Sequence, residues 1–160
     1  MPELIRSTVC YLIQDGQWLM LLRNKKNHDV NHGKWIGVGG KNLAGESFSD
    51  CAIRETFEET GLHMDEPIFH GFLYFEYEQQ DSEQIAIYTC SRFHGTLTAC
   101  NEGTLAWIEE DQIMNLNLWQ GDRVFLKRLL SHDSDLFCYR MRYDEQGNLI
   151  EAEERNAEHE

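Results

Sequence analysis

The chain has 160 residues, 41% of them hydrophobic and 26% charged, with 28 acids against 14 Lys and Arg for a formal charge of −14. That length suits one domain over residues 1–160 with a core of its own, and the acid excess argues against a duplex nucleic-acid binder, which needs a broad basic face. A small anionic ligand stays open, because a cation or a local basic patch reverses the field at a site.

Five cysteines form no CxxC pair, and the start "MPELIRSTVCYLIQDGQ" lacks signal-peptide features. No apolar run approaches bilayer length. Together these predict a cytoplasmic protein with reduced thiols and no membrane partner; oligomeric state is not readable.

In chain order, "STVCYLI" and "WLMLLR" carry strand formers on either side of "QDGQ", so residues 4–23 read as a hairpin. Residues 24–46 are polar and glycine-rich without a steady period, a loop long enough to be functional. Residues 47–60 read as a helix. Ser47 and Asp50 fit an N-terminal capping box, with Asp in the place usual for Glu or Gln, and Gly61 suits a left-handed C-terminal stop with Leu62 folding back behind it. "IFHGFLYFEY" and "QIAIYTCSRF" read as two longer strands around "EQQDSE", and "TLAWIE" as a shorter one. "LWQGDRVFLKRLLS" is a helix by its apolar spacing, with Gly121 its weak point. "LFCYRMRYDEQGNLIEA" reads as a closing hairpin and residues 151–160 as a flexible acidic tail. Strands interleaved with two helices predict an α/β or α+β layered domain with a mixed sheet.

The chemistry concentrates in "VGGKNLAGESFSDCAIRETFEETGL", residues 38–62. At about 100° per residue, with Glu55 at zero, Glu59 lies at about 40° and Glu58 at about 300°, one narrow stripe. Ile53 and Phe57 fall near 160° and 200° (about opposite), which predicts them as the core face. The like-charge pair Glu55 and Glu59 costs roughly 0.2–0.5 kcal/mol, and Arg54 with Glu58 offsets about as much. A solvated acidic face is therefore tolerable, and the surroundings decide. Mg²⁺ wants oxygen ligands, commonly one or two carboxylates plus substrate phosphates. Gly37, Gly39 and Gly40 let backbone approach an ion or a phosphate closely, with a carbonyl as a further ligand. Residues 23–41 hold Arg23, Lys25, Lys26, Lys34 and Lys41 against one acid, Asp29. The alternative is a solvated loop, but its position favours phosphate contact.

Gly40, five residues, Glu46, seven residues and then "RETFEETGL" resembles the Nudix box. Every fixed position matches; Thr56 stands where a bulky aliphatic residue is usual, which predicts a small stability cost and no loss of chemistry. "GKWIGVGGK", "CNEGTLAWIEEDQI" and "LWQGD" are similar to the MutT branch, so the resemblance spans most of the chain. It implies an α/β/α sandwich around a mixed β-sheet and Mg²⁺-dependent hydrolysis, with Mn²⁺ as a substitute. Water would attack the β-phosphorus of a nucleoside triphosphate, giving monophosphate and pyrophosphate.

By position, the resemblance makes Glu55, Glu58 and Glu59 metal ligands, with the Gly39 carbonyl and Glu102 as further ones. Arg54 would orient a box glutamate, and Glu46 would tie loop to helix. The general base is Glu55 or Glu102. From the basic charge of the loop and its glycines, not from the resemblance, Arg23, Lys25, Gly40 and Lys41 are the candidates for phosphate contact, with the lysine that makes it left open. Trp119 would stack on a base and Asp122 hydrogen-bond its edge; the alternatives are a core tryptophan and an ordinary first-turn acid. Gly121 and Ile36 stand where some relatives place a base-reading acid and asparagine, which leaves the base preference open. His28 and His32 are not needed by an oxygen-ligand site, Cys90, His94 and Cys100 match no zinc spacing, and Tyr77 reads as strand core.

Three functions are compatible: an 8-oxo-dGTP diphosphatase that cleans the nucleotide pool, a Nudix hydrolase of another nucleoside diphosphate derivative, and a nucleotide-sensing module. No box acid is missing, which disfavours the sensor.

Overall fold

The computed structural model describes residues 4–25, 31–78 and 81–158. Ten strands and two helices occur among them: β1 (Leu4–Gln14), β2 (Gln17–Leu22), β3 (Trp35–Ile36), α1 (Phe48–Thr60), β4 (Leu62–Met64), β5 (Ile68–Tyr77), β6 (Ser82–Cys90), β7 (Phe93–Gly95), β8 (Thr104–Glu109), α2 (Gln120–Leu130), β9 (Phe137–Tyr143) and β10 (Leu149–Glu154). A 3-10 turn, Glu110–Asn115, precedes α2 and has no counterpart in the sequence reading.

The main sheet runs β10-β9-β5-β6-β1-β2-β3, with β8 on β2. β1 with β6 and β5 with β9 are parallel and the other pairs antiparallel, so the sheet is mixed as expected. β1 and β2 pair only beside their turn, at Ile13 with Trp18 and Gln14 with Gln17. Further along, the glycine-rich segment takes the place beside β1: Cys10 bridges Val38, and Ser7 bridges Lys41. What reads as a structureless loop is thus partly an edge laid along β1.

Two cores lie on the two faces of the sheet, because successive side chains of a strand alternate. Tyr11, Leu73 and Phe75 join Phe125 and Leu129 of α2. Cys10, Leu12 and Phe72 join Ala52 of α1, with Leu62 and Met64. One helix per face gives the α/β/α sandwich. No helix among the described residues is long and apolar enough to cross a membrane.

Three features differ from expectation, the first being that the strand read through Phe93 stops at Cys90, with Phe93 opening β7. Residues 151–154 are not frayed: they pair with β9, with Ala152 opposite Met141. The short β4 and β7, which pair only with each other, were hidden because three residues show no period. The expectations for Lys26, His28, Asp29 and the middle of the "EQQDSE" turn fall outside the described residues.

Candidate active site

Both ends of α1 behave as its sequence indicates. Ser47 Oγ accepts from the Asp50 N–H at 3.1 Å. Gly61 takes φ 78° and its N–H returns to the Phe57 carbonyl at 2.8 Å.

The face that α1 buries is not the expected one. Ala52, Thr56 and Thr60 are fully buried, whereas Phe57 is 54% exposed and Ile53 only half-buried. With Cys51, which is also fully buried, the buried stripe runs from roughly 320° through Glu55 to 140°, on the carboxylate side and not opposite it. Small side chains are the reason. They let the helix sit close to β1 and the glycine segment, where Phe57 would have held it away. Thr56 is a packing position, as its place in the box suggests.

That close seat is measurable at the glycines. A Cβ on Gly39 (φ 151°) would lie 1.9 Å from the Thr8 carbonyl oxygen, and one on Gly40 would lie 2.5 Å from the Glu55 carboxyl carbon. The Gly40 carbonyl accepts from the Thr8 N–H at 2.9 Å. Cys51 Sγ approaches the same carbonyl at 3.4 Å. The absence of side chains at both glycines is what lets the carboxylates of α1 reach the backbone of the loop.

Arg54 is the hub of the carboxylate row. Its Nε and Nη2 donate to the two oxygens of Glu46 at 2.8 and 2.9 Å, a bidentate pair. Nη1 donates to Glu55 at 2.9 Å and reaches Glu58 at 3.3 Å, while Nη2 also donates to the Lys41 carbonyl at 3.1 Å. Glu46 additionally accepts from the Leu43 N–H at 3.0 Å. Its hydrogen bonds from Arg54 and Leu43 hold its pKa down at about 2. Glu46 thus ties loop to helix, as expected.

Glu59 points inward and accepts from the Gly39 N–H at 3.1 Å. Burial, then the neighbouring charges of Glu102 and Glu55, push its pKa well above the usual carboxylate range against that bond. A carboxyl so placed is costly as an anion unless a cation joins it. Glu102 comes from the turn before β8, where Gly103 is pressed onto β2: a Cβ there would lie 1.9 Å from the Leu22 carbonyl oxygen. The structure therefore brings Glu55, Glu59 and Glu102 to one place from two distant segments. Glu58, more exposed, stands at the rim. Oxygen donors converging beside a glycine cradle fit a hard divalent cation.

The predicted phosphate-side bases are placed unevenly. Arg23 Nη1 lies 3.3 Å from Glu102, at the site. Lys25 Nζ donates to the Cys100 carbonyl at 2.7 Å and braces the Glu102 turn. Lys41 is exposed beside the glycines.

A second group forms at the start of α2. Trp119 is its N-cap residue, with Nε1 donating to Asn31 at 2.7 Å, an edge-on contact to Tyr143 and Lys34 Nζ 5.0 Å from its ring centre. Asp122 sits in the first turn, and burial pushes its pKa up to about 7, Lys34 acting the other way. Gly121 is no weak point: its N–H donates to the Tyr143 hydroxyl at 2.7 Å, and a Cβ would lie 2.4 Å from that oxygen. Ile36 pairs with Leu21 and packs into the α1-side core. Tyr77 packs on the α2-side core, stacked with Phe75 and Tyr143.

Away from these residues, the side chains of His63, Asp65 and His94 form the one cluster of at least three His, Cys, Asp or Glu groups, among the described residues, with ligand atoms all within 4.8 Å. Reading cysteines with His94 missed it, because only the β4–β7 register brings the two histidines together.

Known proteins agree with this architecture. The NUDIX domain model matches residues 4–129. An oxidized purine nucleoside triphosphate hydrolase of Mus musculus is 30% identical over 131 residues, 81% of this chain and 83% of the relative. An uncharacterized Nudix hydrolase, YvcI, of Bacillus subtilis is 32% identical over 127 residues, covering 76% and 77%. Among solved structures, the mutator MutT protein of Bacillus halodurans superposes with a TM-score of 0.83 at 24% identity, covering 94% of this chain and 97% of that one. The MutT protein of Methanosarcina mazei Go1 gives 0.70 at 25% identity, covering 82% and 95%. With the glutamate helix, the sandwich and the domain match in agreement, the chain belongs to the Nudix family, in its MutT branch of hydrolases acting on phosphoric anhydride bonds.

Proposed function

We propose that the protein is a Mg²⁺-dependent nucleoside triphosphate pyrophosphohydrolase whose substrate is 8-oxo-dGTP or a related oxidised purine nucleotide, released as monophosphate and pyrophosphate. The observation that carries the chemistry is the convergence of Glu55, Glu59 and Glu102 on the Gly39–Gly40 turn. These carboxylates, with Glu58 and the Gly39 carbonyl, would hold Mg²⁺ or Mn²⁺. When bound, the cation would supply charge neutralisation for the phosphates and a lowered pKa for the attacking water. Arg54 fixes Glu55 in place through its bond at 2.9 Å. Glu55 or Glu102 takes the proton from water, and each already faces an arginine. Arg23, Lys41 and Gly40 border the path of the phosphates, with Lys25 behind them.

The substrate reading is supported by the second group. Lys34, with its Nζ 5.0 Å from the Trp119 ring, and Gly40, beside Glu55, are six residue steps apart, so at most about 21 Å separates their Cα atoms and one short segment links the two groups. Trp119 offers an aromatic surface, and Asp122, with its pKa raised to about 7, has both a donor and an acceptor form near neutrality. An oxidised purine presents such paired donors and acceptors on its edge. The relative from mouse acts, by its name, on oxidized purine nucleoside triphosphates. A cytoplasmic place of action accords with five free, buried cysteines.

The test is a nucleotide panel with purified protein and Mg²⁺, read by kcat/KM and product analysis. We expect 8-oxo-dGTP to lead, with monophosphate and pyrophosphate as products. A canonical nucleotide, nucleotide sugar or dinucleotide ahead by a wide margin overturns the substrate reading. Ile36, whose side chain is apolar and packed into the core, favours a second reading in which base selection is broader and another nucleoside triphosphate is preferred. The same panel separates the two.

A further inference from the structure

His63 and His94 are directly opposed on the two-stranded β4–β7 ribbon. Asp65 follows on the His63 face, one residue past the strand, and its N–H still pairs with the Arg92 carbonyl at 2.8 Å. One oxygen of Asp65 lies 2.9 Å from His94 Nδ1 and 3.6 Å from His63 Nδ1. The two rings have centres 5.1 Å apart. All three side chains are exposed and belong to neither the box nor the base-side group.

We propose that His63, Asp65 and His94 form a second cation site, selective for a borderline divalent metal such as Zn²⁺, Ni²⁺ or Cu²⁺ over Mg²⁺. The donor set makes that choice. Two imidazole nitrogens and one carboxylate suit those ions, whereas Mg²⁺ takes oxygen ligands and keeps its waters. Zn²⁺ bonds of about 2.1 Å put tetrahedral ligand atoms about 3.4 Å apart. The two Asp65–histidine distances, 2.9 and 3.6 Å, bracket that value and all three ligand atoms lie within 4.8 Å of one another, so side-chain rotation is enough to admit an ion.

The backbone beneath is already fixed. Leu62 and Met64, on either side of His63, are buried at 5% and 1% exposure. Gly95 abuts the Gly61 carbonyl, where a Cβ would lie 2.6 Å away. With three protein ligands, a tetrahedral ion keeps one position for water, and the exposure of all three side chains makes the site exchangeable. An ion there cross-links the ribbon two residues beyond the Gly61 cap of α1, and so stiffens the C-terminal end of the helix that carries Glu58 and Glu59.

The experiment titrates metal-free full-length protein with Zn²⁺ in excess Mg²⁺, by competition against a chromophoric chelator, in parent, His63→Ala, His94→Ala and Glu59→Gln. We expect one equivalent of Zn²⁺ bound by the parent and by Glu59→Gln and lost from both histidine variants. Substoichiometric Cu²⁺ should broaden the imidazole NMR signals of His63 and His94 first. Both histidines are exposed, so far-UV circular dichroism of their variants should match the parent. No Zn²⁺ binding by the parent, equal binding in parent and His94→Ala, or broadening centred on other histidines overturns the proposal. Loss of binding in Glu59→Gln with retention in His94→Ala assigns the ion to the box and overturns it as well.

Discussion

Glu55 lies against Gly40 and Glu102 beside Glu59, and each carries an arginine: Arg54 at 2.9 Å and Arg23 at 3.3 Å. Substitution separates their roles. A base must be ionised to accept a proton, so its rate falls as pH drops through its pKa. Gln at the true base should lower kcat by roughly 10²–10⁴-fold and remove that acidic limb from the pH profile. Gln at the other position should leave the limb in place. Asp122 supplies a different test. Burial raises its pKa from 3.8 to about 7, so the unfolded chain ionises this group where the folded chain resists. Its ionisation therefore favours unfolding increasingly from about pH 4 to pH 7. Asp122→Asn should gain stability relative to the parent over that window in urea unfolding, and should narrow the kcat/KM ratio between 8-oxo-dGTP and dGTP.

At the scale of elements, α1 shows why periodicity misleads when the buried residues are small. Counting apolar bulk points to Ile53 and Phe57; packing chooses Ala52, Thr56 and Thr60. The carboxylates are then carried into the glycine segment by the same rotation that leaves Phe57 in solvent. The Glu46–Arg54 pair locks that arrangement, and its pH behaviour follows from sign. Glu46 is held at about 2 against its usual 4.5, so its contribution is present above about pH 4.5 and lost as pH falls toward 2. In acid titrations followed by circular dichroism, the parent should lose more stability than Glu46→Gln across that window, and the two curves should run parallel above it.

Over the whole molecule, the sheet is completed by chain that lies beyond the NUDIX match at residues 4–129. β9 pairs in parallel with β5 from Gly71 with Phe137 to Tyr77 with Tyr143. It buries Phe137, Tyr139, Met141 and Tyr143 in the core shared with α2. Ending the chain after Ser131 leaves that edge of β5 unpaired, uncovers the α2-side core and removes the Tyr143 partner of Gly121. The shortened protein should be insoluble or bind a hydrophobic dye, whereas ending it after Arg155 keeps both strands and should leave cooperative unfolding intact. β10, the outer strand, is lined with Glu151, Glu153 and Glu154, whose charges guard an edge open to pairing with other chains.

Local chemistry was enough to place α1 with both of its caps, the β1–β2 turn, β8, and the spacing of Glu46, Arg54, Glu55, Glu58 and Glu59, because caps, turns and helix faces depend on neighbours a few residues away. The family resemblance pointed to Glu102; tertiary structure alone chose which face of α1 is buried, set Arg23 against Glu102, turned part of the glycine loop into an edge beside β1, and set His63 against His94. Each of those depends on contacts between segments dozens of residues apart, and the energy that selects among them is packing around small side chains, which no local pattern records.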